Sequence, residues 1–184
     1  MNDTIHPPAA PAGAPPEVSY VNNAGLVLFH PFLEMMLRKI NVLMPAEPGA
    51  MRVRSEDGAR AVHLLQYLID GRSDRPGSQL VLNKLLCGLD PDFPAPPVHL
   101  AAEDMALGDH LLAAVIGNWL NMQKMSSAAL RETFLQREGR LEWRDGLCTL
   151  TVQRRTVDVL MNQLPWSLAF IGHPWMPQPL HVSW

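Results

Sequence analysis

The side chains able to do chemistry are seven histidines, two cysteines and a scatter of carboxylates. His6, His30, His63, His99, His110, His173 and His181 contain no pair at the spacing i, i+4, and neither Cys-x-x-Cys nor HExxH occurs. With no two ligands held side by side on one turn or helix face, a zinc-type centre has no framework. A cysteine nucleophile needs a neighbourhood that favours its thiolate. Cys148 alternates onto the apolar face of an expected strand beside Trp143. Cys87 closes an apolar helix, at the end whose dipole opposes an anion. Gly71 to Gly77 lacks the glycine spacing and the Lys-Ser/Thr ending of a phosphate loop. Nothing in the spacing of Glu132, Glu138, Glu142, Asp145 and Asp158 brings two carboxylates to a shared point. Arg131, Arg137, Arg140, Arg144, Arg154 and Arg155 interleave with them, which predicts surface ion pairs rather than a nucleic-acid stripe. The residues therefore predict no enzyme, with no catalytic group, cofactor site or metal site; a cysteine-dependent enzyme is the weakest competing reading.

Contact chemistry stands out more. Tryptophan is costly to expose and favoured at the centres of interfaces. Trp166, Trp175, Met176 and Trp184 crowd the C-terminal end among prolines, and prolines limit the conformations a loop must lose on docking. Core packing is the bland reading of this group. The sharper one makes Trp166, Trp175, Met176 and Trp184 a partner-facing or self-association patch, with Trp175 on the loop His173 to Pro179 at its centre.

These side chains must be positioned by elements whose order is readable. Leu130 to Val152 is the joint where a helical chain becomes a β chain. Leu130, Phe134 and Leu135 have helical spacing, and Gly139 is expected to supply the left-handed stop. Leu141, Trp143, Cys148, Leu150 and Val152 follow with period two around Asp145-Gly146, a type I′ hairpin turn. That register pairs Trp143 with Cys148 and Leu141 with Leu150, and buries Trp143. A slip of one residue would put the indole in water.

Upstream, Glu17 to Asn22 predicts a short strand and Asn22 to Gly25 a turn. Pro31 suits the first turn of a helix whose stripe is Phe32, Leu33, Met36, Leu37, Ile40 and Leu43 or Met44. Leu26 to Phe29 is apolar throughout and fits strand or helix. Ser55 caps a helix over residues 56–70 that Gly71 closes. Residues 79–87 predict a short helix, with Gly88 after it. Residues 90–97 hold four prolines and must be extended. Residues 101–123 predict the longest helix. Ser126 or Ser127 caps the next. Residues 156–164 predict a short helix, and Ser167 to Ile171 and Leu180 to Trp184 predict strands. Helices first, then a hairpin and further strands, give an α+β class: N-terminal helices packed on a small, mostly antiparallel C-terminal sheet.

Length fits one compact unit over residues 17–184, preceded by a Pro/Ala-rich tail, residues 1–16, too poor in large apolar groups to fold. Apolar residues make up 47% of the chain, an ordinary globular share. The net charge of −3 gives no electrostatic case for nucleic acid or an anionic membrane. Two cysteines suit a reducing compartment. No run of about 18 apolar residues predicts a membrane span, and no basic-then-apolar start predicts a secretory leader. The expectation is a cytoplasmic protein.

Five stretches in series carry a resemblance: Asn23 to Leu33 (NAGLVLFHPFL), Arg60 to Gly71 (RAVHLLQYLIDG), Leu80 to Leu89 (LVLNKLLCGL), Leu130 to Leu141 (LRETFLQREGRL) and Leu164 to Met176 (LPWSLAFIGHPWM). Over Asn23 to Trp184 the chain resembles the contractile injection system tape measure protein family, parts of phage-tail-like machines with a contractile sheath around a rigid inner tube. The resemblance implies a structural component with no catalytic residues. Its partners would be inner-tube, cap or baseplate proteins, with homo-oligomerisation as a further option. A ruler needs length, and even a fully helical chain of this size would span only about 280 Å. The expectation is thus a tape-measure-related module that docks at a tube end, on the cap or baseplate side. A generic protein-binding adaptor with a Trp-rich face is the competing reading.

Overall fold

The computed structural model describes residues 17–184; the tail expected over residues 1–16 lies outside them. Strand β1 (Glu17–Val21) opens the chain but belongs to the sheet at its other end. Then come a 3-10 helix (Ala24–Phe32), α1 (Leu33–Lys39), a small hairpin of β2 (Leu43–Pro45) and β3 (Met51–Val53), α2 (Gly58–Asp70), α3 (Val81–Leu86) and α4 (Ala102–Asn118). A short α5 (Ser127–Leu130) runs into a π turn (Arg131–Leu135). Strands β4 (Gly139–Arg144) and β5 (Leu147–Val152), a 3-10 helix (Thr156–Gln163), β6 (Phe170–Ile171) and β7 (Leu180–Ser183) complete it. The class is α+β. The five-stranded sheet has the order β1-β4-β5-β7-β6, antiparallel except where β7 pairs parallel with β5.

The hairpin forms as expected: Trp143 pairs with Cys148 and Leu141 with Leu150, and Asp145 and Gly146 both have positive φ (52° and 78°). Leu141, Cys148, Leu150 and Val152 are buried. Trp143 is only half-buried, contrary to expectation. It sits at the turn end of the sheet, where its cover is the wall of a cleft rather than the core.

Leu26 to Phe29 resolve as 3-10 helix with no exposed surface on any of the four. A segment surrounded on all sides has no polar face, hence no readable period. Gly25 explains the depth: a Cβ there would lie 1.9 Å from the Phe134 carbonyl oxygen. Gly139 does not stop a helix, because its φ is not positive and it is the first residue of β4. Its role is contact, since a Cβ would meet the Ala24 Cβ at 2.8 Å. The helical stripe of α1 ends at Ile40, and Leu43 is a strand residue. Ser55 makes no side-chain cap, and a turn of 3-10 helix precedes α2. Gly71 does close α2 at φ 73°, its N–H bonded to the Tyr67 carbonyl at 2.8 Å. Ser126 caps α5 by accepting from the Ala129 N–H at 3.1 Å.

Helix α4 ends at Asn118, short of the expected residue 123, because Trp119 turns extended and buries its indole. The Trp119 N–H donates to the Leu160 carbonyl at 3.0 Å and the ring packs on Phe134 at 4.7 Å. Gly108 lets α2 approach: a Cβ there would be 2.7 Å from the Tyr67 ring. A buried amide set, with Asn23 donating to Gln66 (3.1 Å) and Asn83 (2.7 Å), joins the end of β1 to α2 and α3. Among the described residues no helix is long and apolar enough to cross a membrane.

Candidate functional site

The C-terminal tryptophans are organised by a charge pair the sequence did not mark. The 3-10 helix over residues 156–163 starts after Arg155, whose backbone N–H donates to the Asp158 carboxylate at 2.9 Å. An acidic group in a first helical turn meets unpaired N–H groups there. Arg137, expected on the surface, has no exposed side-chain area, and Asp158 keeps 12%. The Arg137 guanidinium donates twice to Asp158 (3.1 and 2.5 Å), through Nε to the Thr133 carbonyl (2.7 Å) and through Nη1 to the Gln153 carbonyl (3.1 Å). It also lies near the rings of Phe134 (5.7 Å) and Trp184 (5.6 Å). A buried charge is tolerable when its hydrogen bonds are filled in this way. Burial alone would push the Asp158 carboxyl up. The hydrogen bonds from Arg137, the Arg155 N–H and the Trp184 indole, with the guanidinium charge, hold it below the usual carboxylate range instead.

Trp184 is thereby fixed: its indole N–H donates to Asp158 at 3.0 Å and its carbonyl accepts from Arg154 at 3.1 Å. The strand expected over Leu180 to Trp184 forms as β7 and delivers it there; its pairing with β5 is parallel. Trp166 reaches the same place from the loop after the 3-10 helix, with its ring edge-on to Phe32 at 5.5 Å. Between the two indoles opens a cleft of about 530 Å³, walled by Met161, Leu164, Leu168 and Val182 with Arg154 and Arg155 at the side. Val159, at its lip, is 67% exposed.

The other two members of the expected patch are elsewhere. Trp175 is corrected to core: it is 4% exposed, donates its N–H to the Leu86 carbonyl at 2.9 Å and stacks flat on His173 at 4.4 Å. Leu86 ends α3, so the indole fills an acceptor that the helix leaves unpaired. Met176 lines a second cleft, of about 320 Å³, with Trp143, Leu85, Leu89 and Pro179. The patch of four is thus two clefts and one core residue.

Burial also acts on the remaining titratable groups. Burial pushes the Cys87 thiol up to about 12 and the Cys148 thiol to about 11. A raised value keeps the nucleophilic thiolate scarce at neutral pH. Among the described residues no three His, Cys, Asp or Glu side chains gather as metal ligands. His30 and His173 do approach, with ring centroids 6.3 Å apart. His30 bonds the Ser167 carbonyl at 2.8 Å, tying the first helical segment to the C-terminal loop, and His173 Nε2 is buried without a partner. Burial lowers both pKa values; the neighbouring His30 lowers His173 further, while Glu34, itself paired with Arg38, opposes this. A histidine with a lowered folded pKa binds fewer protons folded than unfolded. Stability is therefore full above the unfolded value of about 6.5 and falls as pH drops through it. Thermal melts from pH 7.5 to 5 should show this loss. The His30→Gln, His173→Gln double variant should have a flatter profile than the parent, and an equal slope in both rules the pair out as its source.

A family model described as contractile injection system tape measure protein matches residues 2–184. No curated protein and no solved structure matches the chain.

Proposed function

The chain belongs to the contractile injection system tape measure protein family, and from that premise we propose that it is a structural, non-catalytic component that docks at one end of the inner tube, on the cap or baseplate side, rather than measuring the tube. One observation carries this reading. The longest helix among the described residues has 17 residues, about 26 Å at the α-helical rise, and it is packed against α2 instead of extending away. Nothing in residues 17–184 is long enough to act as a ruler, so the chain's contribution is a surface. Residues 17–184 act as one unit in this reading, since a single cluster of buried apolar side chains runs from Val21 to Leu180. The surface is the cleft of Trp166 and Trp184, and the partners are tube, cap or baseplate proteins.

The test is to purify assembled particles carrying the chain with an N-terminal label and to image the label. One labelled tube end is the expected result. Label spread along the lumen, or tube length changing in proportion to residues inserted beside the exposed Asn121, overturns the docking reading in favour of a ruler.

A further inference from the structure

We propose that the Trp166–Trp184 cleft receives an acidic peptide segment with one large apolar side chain, supplied by a neighbouring protein of the apparatus. This rests on the docking reading above and adds the chemistry of the partner. The charge balance of the cleft decides the sign. Its carboxylate, Asp158, is already saturated: one oxygen accepts from Arg137, and the other accepts from Arg137, the Arg155 backbone N–H and the Trp184 indole. An incoming cation finds no free acceptor there. Arg154 is occupied by the main-chain oxygen of Trp184, and Arg155 is exposed with no ion pair among the described residues, so the charge left without a partner is that of Arg155. The unanswered charge of the cleft is therefore positive, on a chain whose net charge is −3. Such a local reversal favours an anionic segment at this spot over the rest of the surface.

Apolar anchoring follows from the walls. Two indoles, Met161, Leu164 and the exposed Val159 line a space of about 530 Å³, well within the range that encloses a ligand group. Indole faces flanked by an arginine are a common form of interface anchor. Two arginines are too few to hold a nucleic-acid backbone, which needs a row of phosphate contacts.

A photo-crosslinking residue, p-benzoylphenylalanine, in place of Val159 tests the assignment in assembled particles, with the captured peptide read by mass spectrometry and Leu120, exposed in the loop after α4, as a control position. The expected product is a segment of an apparatus protein with net negative charge and an apolar residue at the crosslink. A neutral or basic segment, or nucleic acid, overturns the inference and leaves tube-end docking standing. No product from Val159 in particles that contain the chain overturns the cleft as an interface, and with it this inference. In parallel, Arg155→Glu should lower incorporation into particles about tenfold and Arg155→Lys should restore it. The Arg155 side chain makes no bond that folding needs, so unchanged melting is the control; equal incorporation of all three forms also overturns the inference.

Discussion

Arg137→Ala is expected to lower the stability of the chain by about 3–5 kcal/mol, the usual cost of leaving one half of a buried ion pair behind. The substitution removes four hydrogen bonds at once. It leaves the Asp158 carboxylate facing Trp184 without its counter-charge and strips the Thr133 and Gln153 carbonyls of their donor. For a chain of this size that loss is roughly a 10 °C drop in Tm. Asp158→Asn should also be costly, because it leaves the fully buried guanidinium without a counter-charge and turns an amide NH2 toward one of its donors, although the amide oxygen can still accept from the Arg155 and Trp184 N–H groups. The pH dependence carries a sign of its own. The Asp158 pKa is held below its ordinary range, so the pair's contribution is fully present above the unfolded value of about 3.9 and is lost as pH falls through the lowered folded value. Denaturant titrations at pH 7 and pH 3 check both statements. An Arg137→Ala midpoint within error of the parent at pH 7 would mean that the buried pair contributes nothing.

Trp175→Ala is the second large effect, about 3–5 kcal/mol from the emptied volume, with a further loss from the Leu86 carbonyl left without a donor. Trp175→Phe separates the two, since it keeps most of the ring and drops the N–H. The tight site extends to Gly88, where a Cβ would lie 2.0 Å from the Trp175 carbonyl oxygen at a positive φ of 69°. These losses should appear in melts of the isolated chain, with no separate defect in assembly beyond that caused by unfolding. A Trp175→Ala chain that melts like the parent yet fails to enter particles returns Trp175 to the partner surface where its sequence neighbourhood suggested it.

The contrast between Trp143 and Trp175 shows what one-dimensional pattern can reach. The strand register around Trp143 was legible because period-two alternation and the Asp145-Gly146 turn act over a dozen residues. The half-burial of Trp143 was not, because its cover comes from Leu85, Leu89 and Pro179, distant in sequence on both sides. Trp175 sits in a proline-rich loop that resembles an exposed recognition segment, and only its meeting with the end of α3 makes it core. Arg137 stands among other arginines and acids, a pattern that ordinarily means a solvated face. Its burial depends on Asp158 and Trp184 arriving together. The hairpin of β2 and β3 has three residues per strand, with a proline in one, too little alternation to register. The fold class needed only element order, whereas the site needed tertiary meetings. Of the expected patch, only Trp166 and Trp184 share a place.

Strand β7 lies between β5 and β6 rather than at an edge, and this has a consequence for synthesis. Among the described strands the last in sequence is an inner one, and the first, β1, pairs with β4 far along the chain. A chain made only as far as β5 therefore holds a hairpin with an open edge and an Arg137 that still lacks both its carboxylate, Asp158, and the cover of Trp184. Helices α1 to α4 can collapse on local contacts in that interval, but the sheet cannot close until residues 180–183 are free to slide in beside β5. Long-range pairings of this kind are slow to form, and an unpaired edge in a half-made chain is where neighbours join wrongly. The cleft of Trp166 and Trp184 needs β7 in place beside β5, so it exists only after residues 180–184 have joined the sheet.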